Sequence, residues 1–317
     1  MRLSVQREKV RFVSGDAECV AWHYPGTNGG CVVMAAGTAV TREPGTDAFA
    51  KRFNDAGFAV LAFDFRRLGE SGGEPRQVVR IRDQVADWQA ALGHAAGLPG
   101  VDAARLAVWG FSLAGGEVLQ VAARNPQLAA AIAQTPLADG RAITPNAMRH
   151  TTPAALLRLV GLAVLDGLGA LVGRRPLLVP AAGPRGSVAA LTTPDAQDGT
   201  RALDPDGRHT DDWPQLVAAR SALLPGLYRP IRHASAIRGP LLVVACEQDS
   251  SVLFEPGARA ARLAPRGELL RLPGTHYAPF LDAHEPAVAG QLAFLRRHLL
   301  GAPAPDAGTA LRQGGRA

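Results

Sequence analysis

Short hydrophobic runs recur along this chain of 317 residues, and amphipathic segments lie between them. Five runs of four to six residues are bounded by turn residues, at positions 31–36, 59–63, 106–109, 130–133 and 240–245. Continuous hydrophobicity over so short a length is typical of strands that are buried on both faces of a parallel sheet. A further strand is predicted at 269–272.

Helical periodicity separates these strands. Apolar residues recur every three or four positions in five segments, at 47–56, 80–95, 113–124, 257–263 and 285–299. Alternating strands and helices indicate a parallel sheet that is covered on both faces. Hydrophobic and polar residues alternate at 5–12 and 18–24, which predicts an antiparallel pair of strands at one edge. The predicted fold class is therefore α/β, with a mostly parallel, doubly wound, eight-stranded sheet.

The alternation stops between about 137 and 238, where Pro, Gly, Asp and Arg are frequent. Because this interruption falls between two strands of one sheet, we predict a largely helical cap insertion over the carboxyl edge, where ligands of such sheets bind. Its main helix is predicted at 154–172, although a helix that merely packs on the domain surface would show the same pattern. Residues 1–300 are predicted to form one domain that contains the cap. Residues 301–317 have too few apolar side chains to pack and predict a disordered tail.

Composition indicates a globular protein, because 47% of the residues are hydrophobic and 20% are charged. The formal net charge is +6, contributed by arginines along the chain without a block of like charges that would form a nucleic-acid arm. We interpret this charge as surface solubility, with a basic rim for anionic substrates as the alternative. Three cysteines, at positions 19, 31 and 246, are predicted to be small core residues rather than a disulfide framework or a zinc site.

Two features bear on location. Charged residues near the N-terminus occupy positions where a signal peptide needs an apolar run, so we expect a cytoplasmic protein. Arg158, Asp166 and three glycines interrupt the apolar segment 154–172, which therefore falls short of the roughly 20 apolar residues of a membrane span. Neither a membrane nor a nucleic acid is expected as a partner, and the sequence leaves a homodimer open.

The sharpest chemical signal is the segment 110–116 (GFSLAGG), which follows a predicted strand and precedes a predicted helix. Strand, tight turn and helix form the setting of a nucleophile elbow, in which a serine sits on a strained turn with its hydroxyl pointing outward. The positions two before and two after Ser112 must be small, and here they are Gly110 and Ala114. Ala114 stands where Gly is usual. The alternative is an ordinary glycine-rich turn between a strand and a helix.

Two further residues complete a candidate triad in the order Ser, Asp, His that this elbow requires. Asp249 follows the predicted strand 240–245, and His276 follows the next strand. His276 would accept the serine proton, and a carboxylate would fix its tautomer and stabilise the imidazolium. Glu247 and Asp282 are the alternatives to Asp249 as the acid. The sequence thus predicts that Ser112, Asp249 and His276 converge in space.

An oxyanion hole needs two backbone N–H donors close to the nucleophile. One is predicted to be the N–H of Leu113, directly after the serine. The other should come from the loop after the strand at 31–36, and is assigned to Thr38 with Ala39 as the alternative. The residues of this loop give little signal, because backbone donors do not depend on side-chain identity.

These motifs resemble the α/β-hydrolase family over residues from about 12 to 299. The segment 64–73 (DFRRLGESGG) is similar to the family's Asp-x-Arg-Gly-x-Gly-x-Ser turn, which implies a structural role for Asp64. Among its branches, the chain looks most similar to the bacterial dienelactone hydrolases and acetyl xylan esterases, which act on esters or thioesters. Many members carry His-Gly where this chain has Ala36-Gly37, and that His helps to brace the oxyanion loop.

The resemblance implies a serine hydrolase that cleaves a small-molecule carboxylic ester or thioester through an acyl-enzyme on Ser112. No metal or organic cofactor is implied, and the apolar cap favours a hydrophobic acyl group. The alternative is a non-hydrolytic enzyme of the same fold that cleaves a C–C bond, removes water or cyclises a biosynthetic intermediate. A binding protein that kept the fold and lost the chemistry is disfavoured by the intact set of Ser, Asp and His.

Overall fold

Strands and helices alternate along most of the chain. The computed structural model describes residues 7–209, 211 and 213–302. In chain order the elements are β1 (Glu8–Ser14), β2 (Ala17–Tyr24), β3 (Cys31–Ala35), α1 (Arg42–Asp55), β4 (Ala59–Phe63), α2 (Ile81–Ala96), β5 (Leu106–Phe111), α3 (Leu113–Arg124), β6 (Ala130–Gln134), α4 (Gly140–Arg149), α5 (Pro153–Leu171), β7 (Leu178–Pro180), α6 (Gly199–Leu203), β8 (Leu216–Ala218), α7 (Ala219–Ala222), α8 (Leu224–Leu227), β9 (Leu241–Cys246), α9 (Phe254–Leu263), β10 (Gly267–Leu272) and α10 (His284–Leu299). All but the first two residues of the predicted tail lie outside the described residues.

Eight strands form one sheet in the order β1-β2-β4-β3-β5-β6-β9-β10. The β1–β2 and β2–β4 pairs are antiparallel, and all other neighbours in this sheet are parallel. The predicted fold, with its antiparallel pair at one edge, is confirmed. The chain turns from β3 outward to β4 and then returns to β5 on the other side of β3. The loops after β3 and β5 therefore meet at a switch point of the sheet, where ligands of this architecture bind.

Each central strand is buried on both faces, which explains the continuous hydrophobic runs. In β3, Cys31 and Val33 face a core that α2, α3 and α9 cover, whereas Val32 and Met34 face a second core beneath α1 and α10. The three cysteines are buried and free, as predicted.

The segment between β6 and β9 holds α4 to α8 and the two-stranded antiparallel pair β7–β8. Its side chains, including Ile143 and Leu159, form a third hydrophobic cluster with Leu113 at the start of α3 and Leu137 after β6. The last part of the segment differs from the predicted cap. The 3-10 helix Pro230–Ala236 packs into the core with α3 and α9, so the chain rejoins the sheet domain before residue 238.

Helix α5 corresponds to the main helix predicted at 154–172, with bounds shifted by one residue. By length and composition alone it is long and apolar enough for a membrane span, whereas the interruptions in the sequence predicted that it falls short. Only 17% of the apolar 18-residue stretch of this helix is buried in the protein. Most of the helix surface is therefore apolar and uncovered.

Candidate active site

Ser112 occupies a sharp turn between β5 and α3. Its backbone has φ 57° and ψ −116°, a conformation that L-residues rarely adopt. The turn requires small neighbours, since a Cβ at Gly110 would lie 2.4 Å from the carbonyl oxygen of Ala114. The Ser112 N–H donates to the carbonyl oxygen of Gln134 on β6 at 3.0 Å. The close fit between strand and helix therefore explains the glycine at position 110, and the alanine at position 114 is buried in this turn.

The hydroxyl of Ser112 lies beside an imidazole that a carboxylate holds. The distance from Ser112 Oγ to His276 Nε2 is 3.1 Å, and that from His276 Nδ1 to Asp249 Oδ2 is 2.8 Å. With the Nδ1 proton donated to Asp249, Nε2 is free to accept the serine proton. The three side chains come from different loops and lie 27 and 164 positions apart along the chain.

Two loops at the carboxyl edge of the sheet bring the imidazole and the carboxylate together. The loops after β9 and β10 are joined by the Gln248 N–H, which donates to the carbonyl oxygen of Gly274 at 3.0 Å. Asp249 is fixed in turn through its other oxygen, Oδ1, which accepts from the N–H groups of Ser251 at 2.9 Å and Val252 at 2.8 Å. One carboxylate oxygen of Asp249 therefore accepts hydrogen bonds from its own turn, and the other contacts His276.

The two alternative acids lie elsewhere. Glu247 is exposed and pairs with Arg271 on β10 at 2.9 Å. Asp282 is exposed on the turn before α10. Neither carboxylate contacts the imidazole in the described part of the chain.

A second buried carboxylate, Asp195, borders the triad and escaped the sequence analysis. Its Oδ2 accepts from the N–H groups of Ser250 at 2.8 Å, Ser251 at 3.2 Å and His276 at 3.4 Å. Its Oδ1 accepts from the Ser251 hydroxyl at 2.6 Å. Asp195 lies in a 3-10 helix of the cap segment, Pro194–Asp198. It thus ties the cap to the turn that carries Asp249.

The two carboxylates control the charge of the imidazole. Burial lowers the pKa of His276, but the charge of Asp249, its hydrogen bond and the charge of Asp195 together outweigh burial and raise this pKa above the ordinary 6.5. Burial alone would raise the pKa of Asp195, yet the His276 charge and the hydrogen bonds from Ser251 and Ser250 lower it. Asp195 is therefore ionised near neutral pH.

Asp195→Asn should isolate the charge of this second carboxylate. An amide oxygen can take the place of Oδ2, and the NH₂ group can donate to the Ser251 hydroxyl, so the hydrogen bonds persist. Without the negative charge the pKa of His276 falls, and the neutral, competent base survives to lower pH. We expect the acid limb of the kcat/KM profile to move to lower pH, with a smaller loss at the plateau than for Asp249→Asn. Asp198→Asn, on the same 3-10 helix, is the control and should leave the profile in place.

The loop after β3 passes directly against Ser112. A Cβ at Gly37 would lie 2.9 Å from the Ser112 Cβ, so only glycine permits this approach. Ala39, two residues on, has a positive φ of 55°. Leu113 is the first residue of α3, and its N–H belongs to the first-turn groups that have no acceptor within the helix. The two predicted donor segments therefore flank Ser112, and the choice between Thr38 and Ala39 stays a prediction.

A buried ion pair braces this loop in place of the absent histidine. Asp64 Oδ1 accepts from the Arg42 N–H at 2.7 Å, and its Oδ2 pairs with the Arg42 guanidinium. Ala36 packs against α1 so closely that a Cβ at Gly45 would lie 2.2 Å from its own Cβ. There is consequently no room for a larger side chain at position 36, and the structural role implied for Asp64 is that of an anchor for the start of α1.

An apolar cavity of about 400 Å³ lies in the cap. Its lining includes Ile143, Leu156, Leu159, Ala190 and Leu223, with Ser251 of the acid turn on its wall. We call it the cap cavity. In the part of the chain that the structure describes, no three His, Cys, Asp or Glu side chains are grouped as metal ligands.

The doubly wound sheet, with a serine elbow at its switch point, defines an α/β hydrolase. The family model described as serine aminopeptidase, S33, matches residues 29–272, and the chain belongs to this family of α/β hydrolases. The solved structure of the α/β hydrolase GrgF from Penicillium sp. sh18 has a TM-score of 0.76 at 24% identity, and the match covers 93% of this chain and 99% of that one. At this identity the likeness concerns the fold.

Two relatives are similar over nearly their whole length. The quorum-quenching protein AidA of Acinetobacter baumannii is 38% identical, over 91% of this chain and 94% of its own. The polyketide transferase af380 of Aspergillus fumigatus is 27% identical, over 93% and 99%. These findings support the α/β-hydrolase family but not the predicted branch of dienelactone hydrolases and acetyl xylan esterases. The motifs that suggested the branch brace the fold, and therefore do not separate one branch from another.

Proposed function

We propose that this protein is a serine hydrolase that cleaves a carboxylic ester or thioester through an acyl-enzyme on Ser112. The proposal rests on one observation, the continuous contact from Ser112 Oγ to His276 Nε2 and from His276 Nδ1 to Asp249. A neutral hydroxyl is a weak nucleophile, and this contact supplies a base at the hydrogen-bond distance that proton transfer needs.

In the proposed reaction Ser112 Oγ attacks the substrate carbonyl carbon while His276 takes its proton. The oxyanion is stabilised by the N–H of Leu113 and by that of Thr38 or Ala39. His276 then protonates the departing alcohol or thiol, which leaves the acyl group on Ser112. A water molecule gives a proton to His276 and attacks the acyl carbon. As the second oxyanion collapses, the bond from the acyl carbon to Ser112 Oγ breaks, His276 returns the proton to Oγ, and the acid is released.

The cap cavity favours a hydrophobic acyl group. It is lined by aliphatic side chains, and Ser251 on its wall lies two residues after Asp249. Leu159 on the cavity wall belongs to the same hydrophobic cluster as Leu113, so the cavity lies on the side of the cap that packs next to Ser112. A volume of about 400 Å³ is within the range of small-molecule pockets.

Acyl esters and thioesters of graded chain length test both parts of the proposal. Each methylene that enters the cavity should raise kcat/KM about fourfold, because burying a CH₂ group contributes about 0.8 kcal/mol. The rise should stop where the cavity is full. Ala190→Phe, which narrows the cavity, should lower kcat/KM for long chains and leave acetyl esters unchanged as the internal control. Equal kcat/KM across the series would contradict the role of the cavity, and no hydrolysis of any member would contradict the function.

A second candidate is a transferase or other non-hydrolytic enzyme of this fold, and the similarity to a polyketide transferase favours it. The same acyl-enzyme could pass its acyl group to a carbon, oxygen or nitrogen nucleophile other than water. A fluorophosphonate that labels Ser112, identified by peptide mass spectrometry, would establish a reactive serine for either candidate. Free acid as the main product distinguishes hydrolysis from transfer, C–C bond cleavage, dehydration or cyclisation.

A further inference from the structure

Helix α5 presents an apolar surface to solvent on the outside of the cap. Leu157 is 72% exposed and Leu171 is 82% exposed. The exposed apolar side chains are Leu157, Val160, Val164, Leu165, Leu168, Leu171 and Val172, which we call the α5 face. Soluble monomers seldom expose so continuous a set of aliphatic residues, and such surfaces mark interaction sites.

The opposite side of α5 is anchored to the cap. Ala155, Leu159 and Ala163 are buried at a spacing of four residues. The buried Asp166 continues this stripe, and its carboxylate accepts from the Leu177 N–H and from the backbone and guanidinium of Arg220, each at 2.9 Å. A helix held in this way lies along the cap surface. Crossing a bilayer would place this ion pair in hydrocarbon, which is costly.

Positive charge surrounds the α5 face. Residues 140–193 contain six arginines and one aspartate, the buried Asp166, so this segment carries a formal charge of +5 out of +6 for the chain. Arg149, Arg158, Arg174 and Arg175 are exposed. The stretch that contains α5 is therefore basic, and these four arginines are exposed on the cap.

Arginine and aliphatic side chains also share one small cavity at the C-terminal end of α5. Its volume is about 260 Å³, and its walls include Leu165, Leu168, Leu177, Arg174 and Arg175. An amphiphile could place its anionic head beside the arginines and its apolar tail against the leucines of this cavity.

We propose that the α5 face and the surrounding arginines bind the surface of an anionic lipid membrane. Aliphatic residues would enter the boundary between headgroups and acyl chains, and the arginines would contact lipid phosphates. A second copy of this chain fits less well, because a symmetric contact would bring the two sets of arginines together without acidic partners. This proposal is independent of the catalytic function and replaces the expectation that no membrane partner exists.

Sedimentation of the full chain with vesicles tests the proposal. The protein should sediment with vesicles of equal parts phosphatidylcholine and phosphatidylglycerol. Far less protein should be found in the pellet with vesicles of phosphatidylcholine alone. Raising the salt concentration should weaken the binding, because exposed charges are screened. Soluble inorganic phosphate, included as a competitor, should not displace the protein, which separates a lipid surface from a site for free phosphate.

Two variants separate the apolar and the charged parts. Arg174→Gln/Arg175→Gln should lower the partition coefficient on the anionic vesicles about twenty-fivefold, because each basic residue near such a surface contributes about fivefold. Leu168→Ser/Leu171→Ser should lower it at least tenfold and keep the charge. Val13→Ser, at an exposed valine on β1, and Arg259→Gln, at an exposed arginine on α9, are the matched controls and should bind like wild type.

Hydrolysis of a soluble acetyl ester should be the same for wild type and all four variants, which shows that each is folded. The proposal is overturned by equal binding to neutral and anionic vesicles, or by binding of the arginine variant that matches wild type. It is also overturned if the wild type sediments as a dimer in solution and Leu168→Ser/Leu171→Ser makes it a monomer, because a second copy then covers the α5 face.

Discussion

Ser112→Ala is expected to lower kcat for a small activated ester by about a millionfold. The loss is so large because the attacking atom itself disappears, and neither His276 nor the oxyanion donors can replace it. The remaining rate should reflect only substrate binding and polarisation by the backbone donors. Initial rates over a long incubation, with active-site titration by a fluorophosphonate, measure the effect.

Ser187→Ala is the matched control for this variant. Ser187 lies in a loop of the cap, and its hydroxyl donates to the carbonyl oxygen of Pro184 at 2.7 Å. It should keep wild-type turnover. Both variants should unfold at temperatures close to wild type, because the Ser112 side chain does not cap α3. If Ser112→Ala kept wild-type turnover, the covalent mechanism would be wrong, and chemistry that needs only His276 and the oxyanion donors would take its place.

The sheet was predictable because its signals are local. A strand buried on both faces must be hydrophobic along its whole length, and the strand predicted at 59–63 agrees residue for residue with β4. The predicted start of α1 was less accurate, since the helix begins at Arg42 rather than near position 47. Pro44 and Gly45 weaken the local helical signal. What holds this first turn is tertiary, namely the Asp64 ion pair and the contact between Gly45 and Ala36.

The elbow and the order of the three candidate residues were visible in the sequence, because each follows a strand that ends at the same edge. Asp195 was not visible. It comes from a segment without strand or helix periodicity, and only the folding of the cap brings it within 3.4 Å of the His276 backbone. The small cavity at the end of α5 is a parallel case, because only the folded chain places Arg174 and Arg175 beside Leu165 and Leu168.

Asp249→Asn is expected to lower kcat/KM about ten-thousandfold. Oδ1 of Asp249 accepts from two backbone N–H groups, those of Ser251 and Val252, and only the oxygen of an asparagine amide can do the same. The NH₂ group must then face His276 Nδ1 and donate to it. The imidazole is forced to carry its proton on Nε2, which leaves no lone pair for the serine proton.

The pH profile separates this tautomer effect from a general loss of structure. Removal of the Asp249 charge lowers the pKa of His276, so the acid limb of kcat/KM should move to lower pH while the plateau falls. Glu247→Gln, which neutralises the exposed carboxylate on the same loop, is the control and should change neither the limb nor the plateau. Asp195→Asn should move the acid limb in the same direction but leave the His276 tautomer unchanged. The difference between the plateaus of the two variants therefore measures the contribution of the tautomer, apart from the effect of removing a negative charge. Equal plateaus for the two asparagine variants would contradict the assignment of Asp249 as the orienting acid.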